Sequence, residues 1–531
     1  MKKMFRDAAV RLNTSPRRLW VAAFLLFSVL GVAWSMATPL IASPDEPAHV
    51  IRAAAVARGQ FNGQEVMVPH QVGESKVTWA ETGVRLPAWY GDLKTVNTCY
   101  AFAPEKPANC APQLGHSEQT ALVSTSAGRY NPSYYLMVGW PSLFLSGPPA
   151  LYAMRIVSAL ICSALLASAM VSAAEARRRS VMMLSVVVAA TPMALFLTGM
   201  VNPNSVETAA GILVWSALLP MLMDPKPELL RRQLTRLGVA TLLLSNVRPL
   251  GLIWFGVAVC FALLVKERYA VRAVLRERTA KYWGAAIVVF GALGVVWSMT
   301  HPDHSVLDGM HPYTFASAAR VTFNNTGWYI QQMIGYFGWL DTPAPEVTTV
   351  VWSGVVLLLL FLGLSQARTR EVLALLGLVA AIVALPIIAQ SLQASQTGII
   401  WQGRYLLPMA AGLPMLASAV FAKRAPGGRA TWLRLVVLAG IGLTLANVAA
   451  YYWALRRYTV GMLGPVFLHA AKWLPPGGWL PWMALYAVAA AGLLMLLTIR
   501  DHEDDDESAA DGSAPRRRRD EPGRRRLVRA G

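Results

Sequence analysis

Apolar positions in this chain gather into long runs separated by short charged segments. From Trp20 to Ile499, stretches of about 18 or more apolar residues recur, the length a helix needs to cross the hydrocarbon core of a bilayer. The pattern predicts about twelve spans, near residues 19–40, 150–173, 180–200, 205–223, 235–248, 250–266, 283–300, 347–366, 372–390, 405–422, 431–452 and 481–499. The expected fold class is all-α, a polytopic helical membrane protein. Two long polar segments interrupt the runs, 41–149 and 301–346. The end of the first, residues 131–149, is apolar and aromatic but broken by Pro141, Gly147 and Pro148. It is expected to form a re-entrant or interfacial helix, because a full span there would reverse the side on which Arg177-Arg178-Arg179 falls.

Composition agrees with that reading. Of 531 residues 55% are hydrophobic and 15% charged, against roughly 25% charged in soluble domains. The formal charge of +19 comes largely from basic clusters between apolar runs: Arg177–Arg179, Arg231-Arg232, Lys266 to Arg278, Arg368–Arg370 and Lys423 to Arg429. The positive-inside rule places these in the cytoplasm together with both chain ends. A basic surface for nucleic acid would require a soluble fold to carry it, so no nucleic-acid partner is expected. The implied organisation is a basic cytoplasmic N-terminus (1–18), a transmembrane domain (19–499) and a charged cytoplasmic tail (500–531). The tail reads as solvated, with anionic lipid headgroups as the alternative contact. The apolar stretch Leu19–Leu40 is longer than a typical signal-peptide core, so a retained first span is expected, with a cleaved signal peptide as the alternative. Arg456-Arg457 and Arg248 fall on the outer side against the rule, the pair as an interfacial anchor and Arg248 as a residue drawn into a cavity.

Cys162 and Cys260 lie in apolar runs, whereas Cys99 and Cys110 share the first polar loop. In an oxidising compartment the latter two are expected to form a disulfide, contributing on the order of 3 kcal/mol by loop closure.

The sharpest local feature is Ser43-Pro44-Asp45-Glu46-Pro47-Ala48-His49-Val50-Ile51-Arg52, directly after the first run. Ser43 with Glu46 fits a capping box with Pro44 at the first helical position, opening a helix to about Ala57 that stops at Gly59. Asp45, His49 and Arg52 would share one face of it, an acid, an imidazole and a guanidinium suited to acid–base or phosphate chemistry. The plainer alternative is that the two acids complement the helix dipole. Further polar islands fall at the same membrane face: Arg129-Tyr130-Asn131-Pro132-Ser133-Tyr134-Tyr135, Asn202-Pro203-Asn204-Ser205, Asn246-Val247-Arg248-Pro249 and Gln402-Gly403-Arg404-Tyr405. Ionisable groups at span ends are costly and often functional. His301, His304 and His311 lack tight ligand spacing, and no phosphate-cradling glycine loop follows a strand. No cofactor is therefore called for, with a divalent cation left open.

Taken together, Pro44-Asp45-Glu46 with His49, the Tyr130-Asn131-Pro132 stretch with Tyr134-Tyr135, Asn202-Pro203, Gly338-Trp339-Leu340-Asp341 and Gln402-Gly403-Arg404-Tyr405 with Pro408 resemble the bacterial membrane proteins grouped as domain of unknown function 2142. The resemblance covers about residues 20–450. That family is similar in layout to the C superfamily of membrane glycosyltransferases (GT-C), which carry a long first outer loop with interfacial helices. The resemblance implies an inverting sugar transfer at the outer face of the bacterial cytoplasmic membrane, from a polyprenyl-phosphate-linked donor to a cell-envelope glycan or protein acceptor, among membrane lipids. It implies Asp45 as base with Glu46 and His49 beside it. Arg404, Arg248 and Arg52 would hold phosphate or substrate, and Tyr134, Tyr135, Asn131, Asn202, Gln402 and Asp341 would line the site. A flippase for lipid-linked sugars and a non-catalytic assembly protein are the alternatives. A transporter would more often show repeated halves and charges near the midplane, and the sequence offers no evident repeat.

Overall fold

The computed structural model describes residues 15–72, 75–301, 312–425 and 429–498. The charged tail and most of the basic N-terminus lie outside the described residues, as do residues 302–311 at the start of the second polar segment, with His304 and His311.

The protein is a polytopic helical membrane protein. Among the described residues nine helices are long and apolar enough to cross a bilayer, from Pro16–Ala37 to Trp479–Thr498. A tenth is obtained if Arg179–Ala189 and Pro192–Thr198, bent by 68° at their junction, are one broken span. The run 180–200, expected as one span, breaks because Pro192 cannot donate a backbone hydrogen bond. Thr191 restarts the chain there by capping the amide of Ala194 at 3.1 Å. Two further expected spans fall short of the standard. Pro227–Val247 is long enough, but Glu228, Arg231, Arg232 and Arg236 make its first half polar. Gly251–Val265 has 15 residues, about 22 Å of helix at 1.5 Å per residue, less than the hydrocarbon thickness of about 30 Å.

Pro203–Met223 is buried along its whole length, at the centre of the bundle. Arg278–Thr300 and Thr369–Thr397 lie at its periphery, and Val288, Phe290, Leu293, Met299, Leu373 and Ile388 stand exposed on them. An apolar surface of that extent on a bundle of this composition is a lipid-facing one.

The first polar loop adds a small sheet to this helical fold. It carries an antiparallel sheet in the order β1 (Gln64–Val72), β2 (Ser75–Pro87), β3 (Thr120–Thr125), with Gln64 opposite Gly83 and Thr82 opposite Thr125. Segments such as Val66-Met67-Val68 and Thr78-Trp79 are rich in the β-branched and aromatic types that suit strands. The loop also holds the expected interfacial helices: Glu46–Ala57 packs on Ser133–Gly139, and Leu136, Trp140, Leu143 and Phe144 beside it are exposed. Gly139 permits that approach, since a Cβ there would meet the Ala53 carbonyl oxygen at 2.2 Å.

Cys99 and Cys110 are joined, their Cα atoms 6.1 Å apart. Arg457, expected as an interfacial anchor, is instead fully buried. It donates to the carbonyls of Tyr100 (2.7 Å) and Lys106 (2.8 Å) and to Asp341 (2.9 Å), clasping the two long loops together. Its neighbour Arg456 donates to the carbonyls of Pro465 and Met462.

Candidate functional site

The Glu46–Ala57 helix begins two residues later than its sequence suggests. Ser43 makes no side-chain hydrogen bond among the described residues, so the expected capping box does not form. Asp45 occupies the N-cap position with φ +62°, a left-handed conformation that Asp tolerates better than most residues, and Pro47, rather than Pro44, sits in the first turn. The helix ends as expected, with Gly59 at φ +76°. This turn separates two adjacent carboxylates into different environments.

Glu46, expected next to Asp45 at the catalytic centre, is locked in a buried pair. Its Oε1 and Oε2 accept from Arg155 Nε (2.7 Å) and Nη2 (2.6 Å), and Oε1 also accepts from the Val201 amide at 3.2 Å. Arg155 donates further to the carbonyls of Ser35, Thr38 and Pro39. Both side chains are about 1% exposed. The arrangement ties the start of the loop to two spans and commits both Glu46 oxygens to Arg155.

Asp45 is half-exposed, and its Oδ2 accepts from Arg404 Nη2 at 2.5 Å. Arg404 is 1% exposed, yet its Nε and Nη1 have no partner among the described residues. A buried guanidinium keeps unfilled donors only at a cost, so the residue is poised for an acceptor. It is placed by Gly403, where a Cβ would meet the Tyr329 carbonyl oxygen at 2.2 Å, and whose amide donates to Gln332 Oε1 at 2.6 Å. Arg248 lies over the rings of Tyr405 (4.7 Å) and Tyr130 (5.7 Å) and donates to Asn204 Oδ1 at 2.6 Å, with Glu207 3.8 Å away.

Surrounding protein disfavours charge on Asp45, but the Arg404 guanidinium foremost, with Arg248 among the further contributions, outweighs it and holds the carboxyl below its usual range. For His49 burial dominates, and against the pull of Asp45 the imidazole is pushed down to about 3. His49 is thus neutral at ordinary pH, its Nδ1 2.9 Å from the Tyr135 hydroxyl.

Arg248, Tyr130, Asn131 and Tyr405 form one wall of a cavity of about 500 Å³. Its other walls come from the ends of Arg278–Thr300 and Thr369–Thr397, the helices that present apolar faces to lipid. A ligand with a phosphate and a hydrocarbon chain could place the first against the guanidiniums and the second along those faces.

The remaining expected residues divide by contact. Asn131 sits at the cavity wall, accepting from Ser133 in a local turn. Gln402 precedes Arg404 and keeps a buried Oε1 without a partner among the described residues. Tyr135 reaches the site through His49, and Tyr134 is buried against Ser158 at 3.2 Å. Three others are engaged in building the scaffold. Arg52 donates to the carbonyls of Phe61 (2.8 Å) and Tyr130 (3.1 Å). Asn202 donates to the Pro44 carbonyl (3.1 Å) while capping the Pro203 helix. Asp341 joins Arg457 and the Phe102 amide at the loop junction. Sequence reasoning missed Arg155 and Glu207. Each is a lone charge within its span helix, and that signal was available.

These features define a multi-pass membrane protein whose polar loops and span ends converge on a pair of ionised side chains beside a lipid-flanked cavity. The chain belongs to the family described as "Predicted membrane protein (DUF2142)", which matches residues 27–413. Among solved structures it is similar to ArnT from Cupriavidus metallidurans in the apo state, at 15% identity and a TM-score of 0.42, over 94% of this chain and 80% of that one. It is similar also to ArnT from Cupriavidus metallidurans bound to undecaprenyl phosphate, at 16% identity and a TM-score of 0.41, over 93% and 78%. No curated protein matches the sequence.

Proposed function

We propose that the protein is a membrane glycosyltransferase that takes a sugar from a polyprenyl-phosphate donor and passes it to a cell-envelope acceptor on the extracytoplasmic side of the bacterial cytoplasmic membrane. The observation that carries this reading is Arg404, buried, bound to Asp45 by one nitrogen and holding two further donors without a partner among the described residues. In the reaction the acceptor hydroxyl gives its proton to Asp45 while its oxygen bonds to the anomeric carbon. The bond from that carbon to the phosphate oxygen breaks, and polyprenyl phosphate leaves with its charge facing Arg404 and Arg248. A base aligned with the nucleophile and cations aligned with the leaving group are what this transfer demands.

Neutral His49 orients the site without competing for the proton, and Glu46 belongs to the scaffold. The cavity lies at one end of the bundle, which supports an enzyme over a transporter with a midplane site. The Cys99–Cys110 bridge supports an oxidising, extracytoplasmic location for the loop.

Binding tests the reading directly. Purified protein in lipid nanodiscs should bind a short-chain polyprenyl phosphate, and Arg404→Ala should weaken it by at least about tenfold, as expected for a lost charge-assisted contact. Equal affinity in the variant would remove Arg404 from the phosphate site.

A further inference from the structure

A second, polar pocket lies between the sheet and the end of the Arg278–Thr300 helix. We infer that it is a carbohydrate subsite that holds the acceptor as a glycan, an inference that rests on the transferase reading and names the substrate class it leaves open.

The pocket encloses about 210 Å³ and draws its lining from β1, β2 and the end of β3. That is smaller than the roughly 300–1,000 Å³ of a drug-sized site, the scale of a single sugar ring. Trp79 lines it together with Glu65, Glu81 and Asn62. A sugar ring offers a C–H face to an aromatic plane and a rim of hydroxyls to carboxylate and amide groups. Glu81 is fixed in place for that role, its Oε2 accepting from Lys94 Nζ at 2.6 Å while Lys94 also donates to Ser124 at 2.7 Å. The carboxylates of Glu65 and Glu81 are set against Arg129 on the lining and Lys94 beside it, a balance of charge that suits a neutral glycan better than a phosphate or nucleotide. A peptide recognised by strand addition would run along a sheet edge, whereas this pocket crosses strands.

Its position against the larger cavity argues for a substrate site. Arg129 and His301 line both. Trp297 donates to the Arg129 carbonyl at 2.9 Å and stacks on His301 at 3.9 Å, and His301 Nε2 lies 2.9 Å from Asn62 Oδ1. These contacts form the partition between the two spaces. Next in sequence to Arg129, Tyr130 lines the larger cavity and lies 5.7 Å from the ring of His49, one helical turn from Asp45.

The test uses the full chain in nanodiscs on a panel of immobilised neutral oligosaccharides, alongside binding of short-chain polyprenyl phosphate. Wild type should be retained by members of the panel. Trp79→Ala and, separately, the exposed Glu65→Gln should each weaken retention by about tenfold while polyprenyl-phosphate binding stays within about twofold. Unchanged retention in both variants, no retention of wild type, or retention by a peptide panel instead would overturn the inference. Lost lipid-phosphate binding with glycan retention intact would count against the donor reading and leave this subsite standing.

Discussion

Asp45 and Glu46 are neighbours in sequence and opposites in environment, and one backbone angle separates them. The left-handed turn at Asp45 sends its carboxylate to Arg404 while Glu46 enters the helix and meets Arg155. Asp45 stays ionised below the usual carboxylate range because Arg404 and Arg248 outweigh its desolvation. His49 gives the clearest consequence for pH. Its folded-state pKa, about 3, lies below the value of about 6.5 for an unfolded histidine. As pH falls below that value the unfolded chain takes up a proton that the folded chain refuses, so stability drops. Thermal unfolding in detergent should therefore show a loss between pH 7 and 5 that is smaller in His49→Gln. An equal loss in the variant would mean that His49 is protonated in the fold.

At the scale of elements, the site depends on a buried ion pair that couples the loop to the membrane domain. Removing one partner of such a pair strands the other charge, at about 3–5 kcal/mol. Arg155→Met should lower the unfolding midpoint sharply, and adding Glu46→Gln should recover part of the loss, since contacting residues are not additive. Purely additive losses would show that the pair does not couple these elements. The Glu46–Ala57 helix and its stop at Gly59 were legible in the sequence because helix ends have local signatures. Its start was not, because Ser43 and Glu46 satisfied the capping pattern while tertiary contacts to Arg155 and Arg404 chose another geometry. The sheet was hidden for a related reason. Its strands pair residues as distant as Thr82 and Thr125, and composition in a Pro- and Gly-rich loop gives little sign of such pairing.

For the whole molecule, the apolar runs made the fold class legible, since a bilayer admits helices whose backbone groups are satisfied within each segment. Nine to ten of the described helices meet the length and hydropathy of a span, fewer than the twelve runs imply, because hydropathy alone does not reveal a break at Pro192 or a short helix such as Gly251–Val265. The polar islands at 129–135, 246–249 and 402–405 were also legible, and the fold brings residues from all three to one cavity. Their individual partners were not, as the Asp45–Arg404 contact spans most of the chain. The account stands on Asp45 as the base of a sugar transfer, and a direct measurement is transfer from a radiolabelled polyprenyl-phosphate sugar pool in membranes carrying wild type or Asp45→Asn at matched protein levels. The account predicts transfer by wild type and a loss of about a hundredfold or more in the variant, the usual scale for removing a general base, with folding intact. Equal transfer by the two proteins would contradict it.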